Sequence, residues 1–288
     1  MSYRLAQVDG RAALVAHGAV YDLETVSGGT MSPDPMLAVG HADRLAEIAA
    51  QLEGHPPTAR LDDVVLEAPV PRPGQVFAVG LNYRAHAAEA EMEVPSHPVI
   101  FTKFPSCITG PTADVLLRSD RCDYEGELVV VIGREARNVA KADAWRHVAG
   151  LTVGQDVSDR KVQFLAKPAH FSLGKSFDTF GPTGPVVVGP GALENPADLH
   201  LTTRVNGEVR QDDRTSSMIF DVPLLVAYLS RVATLRPGDL IFTGTPEGIG
   251  AMKRLYLQDG DVVETTIEGI GTMRNRCVRA TDHGLQEL

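Results

Sequence analysis

The stretch Asp123-Tyr124-Glu125-Gly126-Glu127-Leu128-Val129-Val130-Val131-Ile132-Gly133 decides how the rest of the chain is read. Side chains alternate across a strand with period two, so Leu128, Val130 and Ile132 share one face, and Val129 and Val131 the other. Neither face suits water, which is the pattern of a strand covered on both sides. Glu125 and Glu127 fall on the same side as Val129 and Val131, about 6.6 Å apart at Cα. Two carboxylates entering a buried face repel one another, and burial disfavours their charged forms. A divalent cation relieves both problems. An all-oxygen set suits a hard ion, Mg²⁺, Mn²⁺ or Ca²⁺, better than zinc or copper. A solvated strand end is the plainer reading for one such Glu; two on one face shift the balance towards the ion.

Asp156 offers a third carboxylate. It closes the strand-like LTVGQD and opens the polar run Ser158-Asp159-Arg160-Lys161. Its spacing fits a metal ligand and a cap for a helix over 162–165 equally well.

Outward from these segments the chain reads as β-rich α+β. Strands are expected over 75–80, 98–103, 125–133, 151–156, 184–188, 202–205, 240–243 and 262–267. Asn206-Gly207 marks a hairpin between TTRV and EVRQ. Helices are expected over 42–53, 141–148 and 222–232, and no βαβ alternation is present. The turns Asp9-Gly10 and His17-Gly18 suggest a small N-terminal meander, and the proline-rich 55–74 a connection, giving a small α+β domain at 1–70 and a larger one at 71–288.

The chain has 288 residues, 43% of them hydrophobic and 22% charged, enough for a substantial core. A net charge of −10 argues against nucleic acid or an anionic membrane surface as the main partner. Three cysteines without CxxC spacing, and no signal-peptide or membrane-spanning run, give the expectation of a cytoplasmic protein. Several enzyme signatures fail. LGKS (173–176) lacks the first glycine of a phosphate loop. GTPEGIG (244–250) lacks dinucleotide spacing. Gly-x-Ser-x-Gly and HExxH are absent.

The set GLNYRAHAAE (80–89), DYEGELVVVIG (123–133), GQDVSDRKVQ (154–163), FSLGKSFDTFGPTGP (171–185) and FTGTPEGIG (242–250) resembles the fumarylacetoacetate hydrolase family, over roughly residues 75–280. The resemblance implies a mixed β-sandwich or roll as the catalytic fold, usually dimeric, acting on small anionic 2-oxo acids with Mg²⁺ or Mn²⁺. It implies Glu125, Glu127 and Asp156 as metal ligands and His86 with Glu89 as a water-activating pair. Gln163 and Lys175 are implied as polar catalytic groups, and Arg160 and Thr245 as substrate contacts; Lys103, for its positive charge, and Tyr83 are further candidate substrate contacts. Asp159-Arg160-Lys161 stands where many relatives read Ala-Arg-Asp, which alters the charge around Arg160.

The expected reaction is metal-dependent C–C hydrolysis of an acylpyruvate to pyruvate and a carboxylic acid. His86 serves as base, and Lys175 and Gln163 stabilise the oxyanion. Oxaloacetate decarboxylation and tautomerisation of a 2-hydroxy-dienoate are the alternatives on the same metal site. A non-catalytic metal- or carboxylate-binding protein is a remoter one. The helix-prone 84–96 has little apolar anchoring beyond Met92 and Val94, and is expected to act as a lid.

Overall fold

A computed structural model describes residues 1–281. The quoted segment becomes the strand Gly126–Ile132, buried along its whole length. Leu128, Val130 and Ile132 enter one core cluster and Val129 and Val131 another, as its two apolar faces require. On one edge it pairs antiparallel with Val148–Gln155, and on the other with Leu240–Phe242.

These strands are the centre of a long sheet. Beyond Leu240–Phe242 come Val76–Gly80, in parallel pairing, and Val99–Thr102 at the edge. Beyond Val148–Gln155 comes Gly181–Val188, onto which the N-terminal meander is hydrogen-bonded through Arg4↔Val188 and Leu5↔Val187. The meander, Arg4–Val8, Arg11–Ala16 and Ala19–Asp22, thus extends the same sheet. The helix Ala42–Ala49 lays Ala42, Leu45 and Ile48 into the core shared with Val129 and Val131.

A second, five-stranded sheet runs Glu208–Arg214, His200–Val205, Val262–Ile267, Gly271–Arg279, Val115–Leu117. Asn206 and Gly207 both have positive φ, as the expected hairpin demands. The helix Val222–Val232 has the expected bounds, with Asp221 as its cap. The segment expected to be helical near 141–148 is a 3₁₀ helix, Lys141–His147, in which Ala144 is buried. The start of Val148–Gln155 lies earlier than its polar neighbours suggested, because Val148 and Ala149 are as buried as Leu151. Among the described residues no helix is long and apolar enough to cross a membrane.

Candidate active site

The strand Gly126–Ile132 begins one residue after Glu125, and Val148–Gln155 ends one residue before Asp156. The backbone joins the two ends: the Asp156 N–H donates to the Glu125 carbonyl at 2.9 Å. Glu125, Glu127 and Asp156 are all buried, and one oxygen from each lies within 4.8 Å of the others. The two readings of Asp156 separate here. The cap of the short helix Arg160–Gln163 is Asp159, which accepts from the N–H groups of Lys161 and Val162. Asp156 is left facing the other two carboxylates.

Three cations meet this acidic set. Lys175 Nζ donates to Glu125 Oε2 at 2.7 Å and to Asp156 Oδ2 at 2.6 Å. Lys103 Nζ donates to Asp156 Oδ1 at 2.7 Å and to the Lys175 carbonyl. Arg160 reaches Glu125 Oε1 at 2.5 Å, and Asp123 Oδ2 through two of its nitrogens, while its third nitrogen donates to Gln163 Oε1 at 2.8 Å. Glu127 takes a backbone donor instead, the Gly244 N–H at 2.7 Å. Gly244 sits at φ +98°, and a Cβ there would press on Asn82, so glycine suits both the turn and the approach.

These contacts split the carboxylates electrostatically. Burial pushes Glu125 up, but the charges of Lys175 and Arg160 and their hydrogen bonds outweigh it and hold the carboxyl down at about 2. Burial, then the charges of Asp156 and Glu125, push Glu127 well above the usual carboxylate range, against a smaller pull from Lys175 and Gly244. Burial works against the Lys175 ammonium, yet Asp156 and Glu125 raise its pKa above the ordinary lysine value. A buried carboxylate cluster with one member destabilised by like charge is the environment a hard divalent cation relieves. The donor set is all oxygen.

His86 and Glu89 lie on the helix Arg84–Glu89, three residues apart, with Nδ1 3.7 Å from Glu89 Oε2. His86 Nδ1 is buried without a hydrogen-bond partner. Glu89 accepts the Gly248 N–H at 3.0 Å, which ties the helix to the GTPEGIG loop. The first half of the expected lid is therefore docked, with Ala87 fully buried, while Met92 and Val94 are exposed. Docking follows from contacts that local spacing does not register, Ala87 against the core and Glu89 against Gly248. Tyr83 is fully buried, its hydroxyl has no partner, and burial, then Glu127 and Asp213, raise its pKa.

The residues expected to touch substrate divide. Arg160 reaches the cluster with most of its donors on carboxylates, and Gln163 joins it only through Arg160. Lys103 lies beneath Asp156 with a side chain wholly shielded from solvent. Thr245 donates its hydroxyl proton to the Gly126 carbonyl at 2.9 Å and accepts from Gln211, so that proton is committed inside the protein. Sequence reasoning missed Asp123, which is fully buried and accepts from Arg160, Gly250 N–H and Ala251 N–H. It also missed Asn82, whose amide bridges Phe220 and the Thr243 carbonyl. Asp123 stood in the decisive stretch itself. An acidic residue two positions before Glu125, facing an arginine-bearing motif, was the available signal.

Residues 75–278 match the model of the fumarylacetoacetate (FAA) hydrolase C-terminal family. The chain belongs to the fumarylacetoacetate hydrolase family. It is 42% identical over 235 residues to the human mitochondrial oxaloacetate tautomerase FAHD2A, a match covering 80% of this chain and 74% of that one. It is 39% identical over 273 residues to the oxaloacetate tautomerase YisK of Bacillus subtilis (strain 168), covering 91% and 90%. The crystal structure of maleylpyruvate hydrolase from Sphingobium sp. SYK-6, in complex with manganese (II) ion and pyruvate, superposes with a TM-score of 0.81 at 32% identity. That superposition covers 96% of this chain and all 100% of the other. The fold is the mixed α+β, strand-rich fold of that family.

Proposed function

We propose that the protein is a divalent-metal-dependent enzyme that interconverts the enol and keto forms of a small 2-oxo diacid of the oxaloacetate type. The observation that carries this reading is the His86–Glu89 pair, which Glu89 ties to Gly248 in the same loop whose Gly244 N–H serves Glu127. Two relatives named as oxaloacetate tautomerases, at 42% and 39% identity, support the substrate class.

Glu125, Glu127 and Asp156 would hold Mg²⁺ or Mn²⁺, which when bound supplies Lewis-acid stabilisation of an enolate oxygen. The charge balance favours an anionic substrate only with that ion present. With Glu127 ionised, as a metal ligand must be, Asp123, Glu125, Glu127 and Asp156 carry one more charge than Lys103, Lys175 and Arg160. A divalent ion turns that excess of one negative charge into one positive. Lys175 and Arg160 keep Glu125 ionised and in place. Gln163, held by Arg160, keeps its amide N–H₂ available to a substrate oxygen.

His86 takes the proton from the enol hydroxyl and returns one to C3, so bonds and protons balance without a water molecule. Glu89, anchored by Gly248, orients the imidazole and favours the imidazolium that exists between the two transfers. Hydrolysis of an acylpyruvate is the second reading, favoured by likeness to the maleylpyruvate hydrolase. There His86 would activate water for attack on C4 and Lys175 would receive the oxyanion charge.

The test follows the decay of freshly dissolved enol oxaloacetate in the ultraviolet, with Mn²⁺ and with EDTA, alongside an NMR time course of acetylpyruvate. Mn²⁺-dependent enol decay that Glu127→Gln abolishes is expected. Unaccelerated enol decay, with pyruvate and acetate appearing from acetylpyruvate, would replace the first reading by the second.

A further inference from the structure

Glu125 lies outside the strand ladder, so its N–H has no strand partner of the ordinary kind. Gln155 Oε1 accepts it at 2.9 Å. The next N–H, that of Gly126, is accepted by Gln211 Oε1, also at 2.9 Å. Each glutamine then uses the other end of its amide. Gln155 Nε2 donates to Thr265 Oγ1 at 2.7 Å. Gln211 Nε2 donates to Thr245 Oγ1 at 2.7 Å and to the Pro246 carbonyl at 3.0 Å. Thr245 closes the ring by donating to the Gly126 carbonyl. Both glutamines are 1% exposed.

They reach the Glu125–Gly126–Glu127 backbone from different layers. Gln155 is the last residue of a strand in the long sheet and directly precedes Asp156. Gln211 belongs to Glu208–Arg214 in the five-stranded sheet. Pairing there runs Thr203↔Gln211 and Arg204↔Val209, so Arg210 bulges out immediately before Gln211. A bulge of this kind re-aims the following side chain, here into the interior. Gly126 fits because a Cβ would run into Thr203 Oγ1 and press on Gln211.

We propose that Gln155 and Gln211 are positioning residues that fix the Glu125 and Glu127 carboxylates for the divalent ion by clamping the peptide groups between them. The inference rests on the metal reading given above and goes beyond it to residues that touch neither ion nor substrate. Each position needs an acceptor and a donor on one side chain, which an amide supplies and an ionised carboxylate does not. Leucine would orphan a buried N–H, and glutamate would set a further acceptor against Thr245 Oγ1 and the Pro246 carbonyl. Groups that hold metal ligands in this way are worth about 10–100-fold in metal affinity.

The test is Mn²⁺ titration by calorimetry, with the electron paramagnetic resonance line shape of bound Mn²⁺, and without substrate. It compares wild type, Gln155→Leu, Gln211→Leu and Gln211→Glu. Gln75→Leu is the control, since the Gln75 amide serves Thr234 and Asp239 instead. Mn²⁺ binding about 10–100-fold weaker in the three variants, with Gln75→Leu at the wild-type value, is expected. Thr265→Val, which leaves Gln155 in place but removes the acceptor orienting it, should weaken Mn²⁺ severalfold and serves if the leucine variants do not fold. Wild-type affinity in folded Gln211→Leu and Thr265→Val would overturn the proposal. So would Mn²⁺ binding indifferent to Glu127→Gln, since the ion would then sit elsewhere. Because no substrate is present, a failed enol assay leaves this result standing.

Discussion

Replacing Glu127 by glutamine should strengthen the ion-free protein while abolishing its response to metal. The ligand oxygens of Glu125, Glu127 and Asp156 lie within 4.8 Å of one another. At an effective dielectric of about 20, a like-charge pair at that separation costs about 3 kcal/mol. Glu127 faces two such charges and is drawn by one cation, Lys175, so about one pair's worth stays unrelieved. Glutamine keeps a carbonyl oxygen for the Gly244 N–H, so the hydrogen bond survives. At roughly 2 °C per kcal/mol for a chain of this size, Tm in EDTA should rise by about 6 °C. The sign with pH follows from linkage. Burial, Asp156 and Glu125 raise the folded carboxyl above its unfolded value of about 4.3, so ionising it weakens the fold. That penalty is absent below the unfolded value, grows as pH rises through the interval, and is complete above the raised folded value. The advantage of Glu127→Gln should therefore be near zero at the acidic end and largest at alkaline pH. Adding Mn²⁺ should reverse the order, raising wild-type Tm and leaving the variant unmoved. Differential scanning fluorimetry at several pH values, with EDTA and with Mn²⁺, measures all of this. A variant no more stable than wild type in alkaline EDTA, or a gain independent of pH, would refute the electrostatic argument.

His86→Ala should lower kcat about 10²–10⁴-fold on enol substrate with Mn²⁺ affinity unchanged, since the imidazole touches no ligand carboxylate. Glu89→Gln should cost less, because the amide oxygen still accepts from Gly248; steady-state kinetics beside Mn²⁺ calorimetry check both. Gly126→Ala should destabilise the fold by about 1–3 kcal/mol through contact with Thr203 and Thr265, read as a lower urea midpoint. Oxalate, a dianion that chelates through two oxygens, should raise Tm in Mn²⁺ and have no effect in EDTA. Without the ion the cluster offers a dianion no net positive charge, because Lys103, Lys175 and Arg160 are already matched by Asp123, Glu125 and Asp156.

Much of this site lay on the surface of the sequence. The apolar run 128–132 specifies a strand covered on both faces, and the structure divides those residues between two cores. Two carboxylates at its mouth then raise the question of an ion by themselves. The helix Val222–Val232 and the Asn206-Gly207 hairpin were equally plain, being local matters of period and turn chemistry. The strand Gly271–Arg279 was passed over. Met273, Asn275 and Cys277 point inwards at period two, but Asn275 stands where an apolar residue was sought. The supporting polar groups were harder for a deeper reason. Gln211 serves Gly126 across 85 positions and Gln155 serves Thr265 across 110, and no local pattern encodes such pairings. Spacing told which face a carboxylate shares; it carried nothing about which distant amide holds that face still.

The proposed site has a floor and a mouth, and that division bears on why proteins similar to this chain carry different reaction names. The floor is Glu125, Glu127, Asp156 and the cations among them, pinned by two sheets. On the proposed reading, and with the divalent ion in place, this floor would favour negative charge developing on a 2-oxo group, a charge that enol ketonisation and acylpyruvate hydrolysis share. Nothing in such a floor distinguishes them. The reactions diverge at C3 and C4, where either a proton is delivered or a water attacks, and in the proposed reaction those steps fall to His86 and Glu89 on the helix Arg84–Glu89. In this chain that helix is tied down by Glu89 to Gly248, in the loop that also supplies the Glu127 donor through Gly244. The proposed proton-handling pair thus shares one loop with Glu127. A rigid single-imidazole shuttle suits a reaction that returns its proton to the same substrate, whereas hydrolysis also needs room for an ordered water between His86 and C4. On the proposed reading it is the space above His86, and not the shared carboxylate floor, that would select between the two reactions.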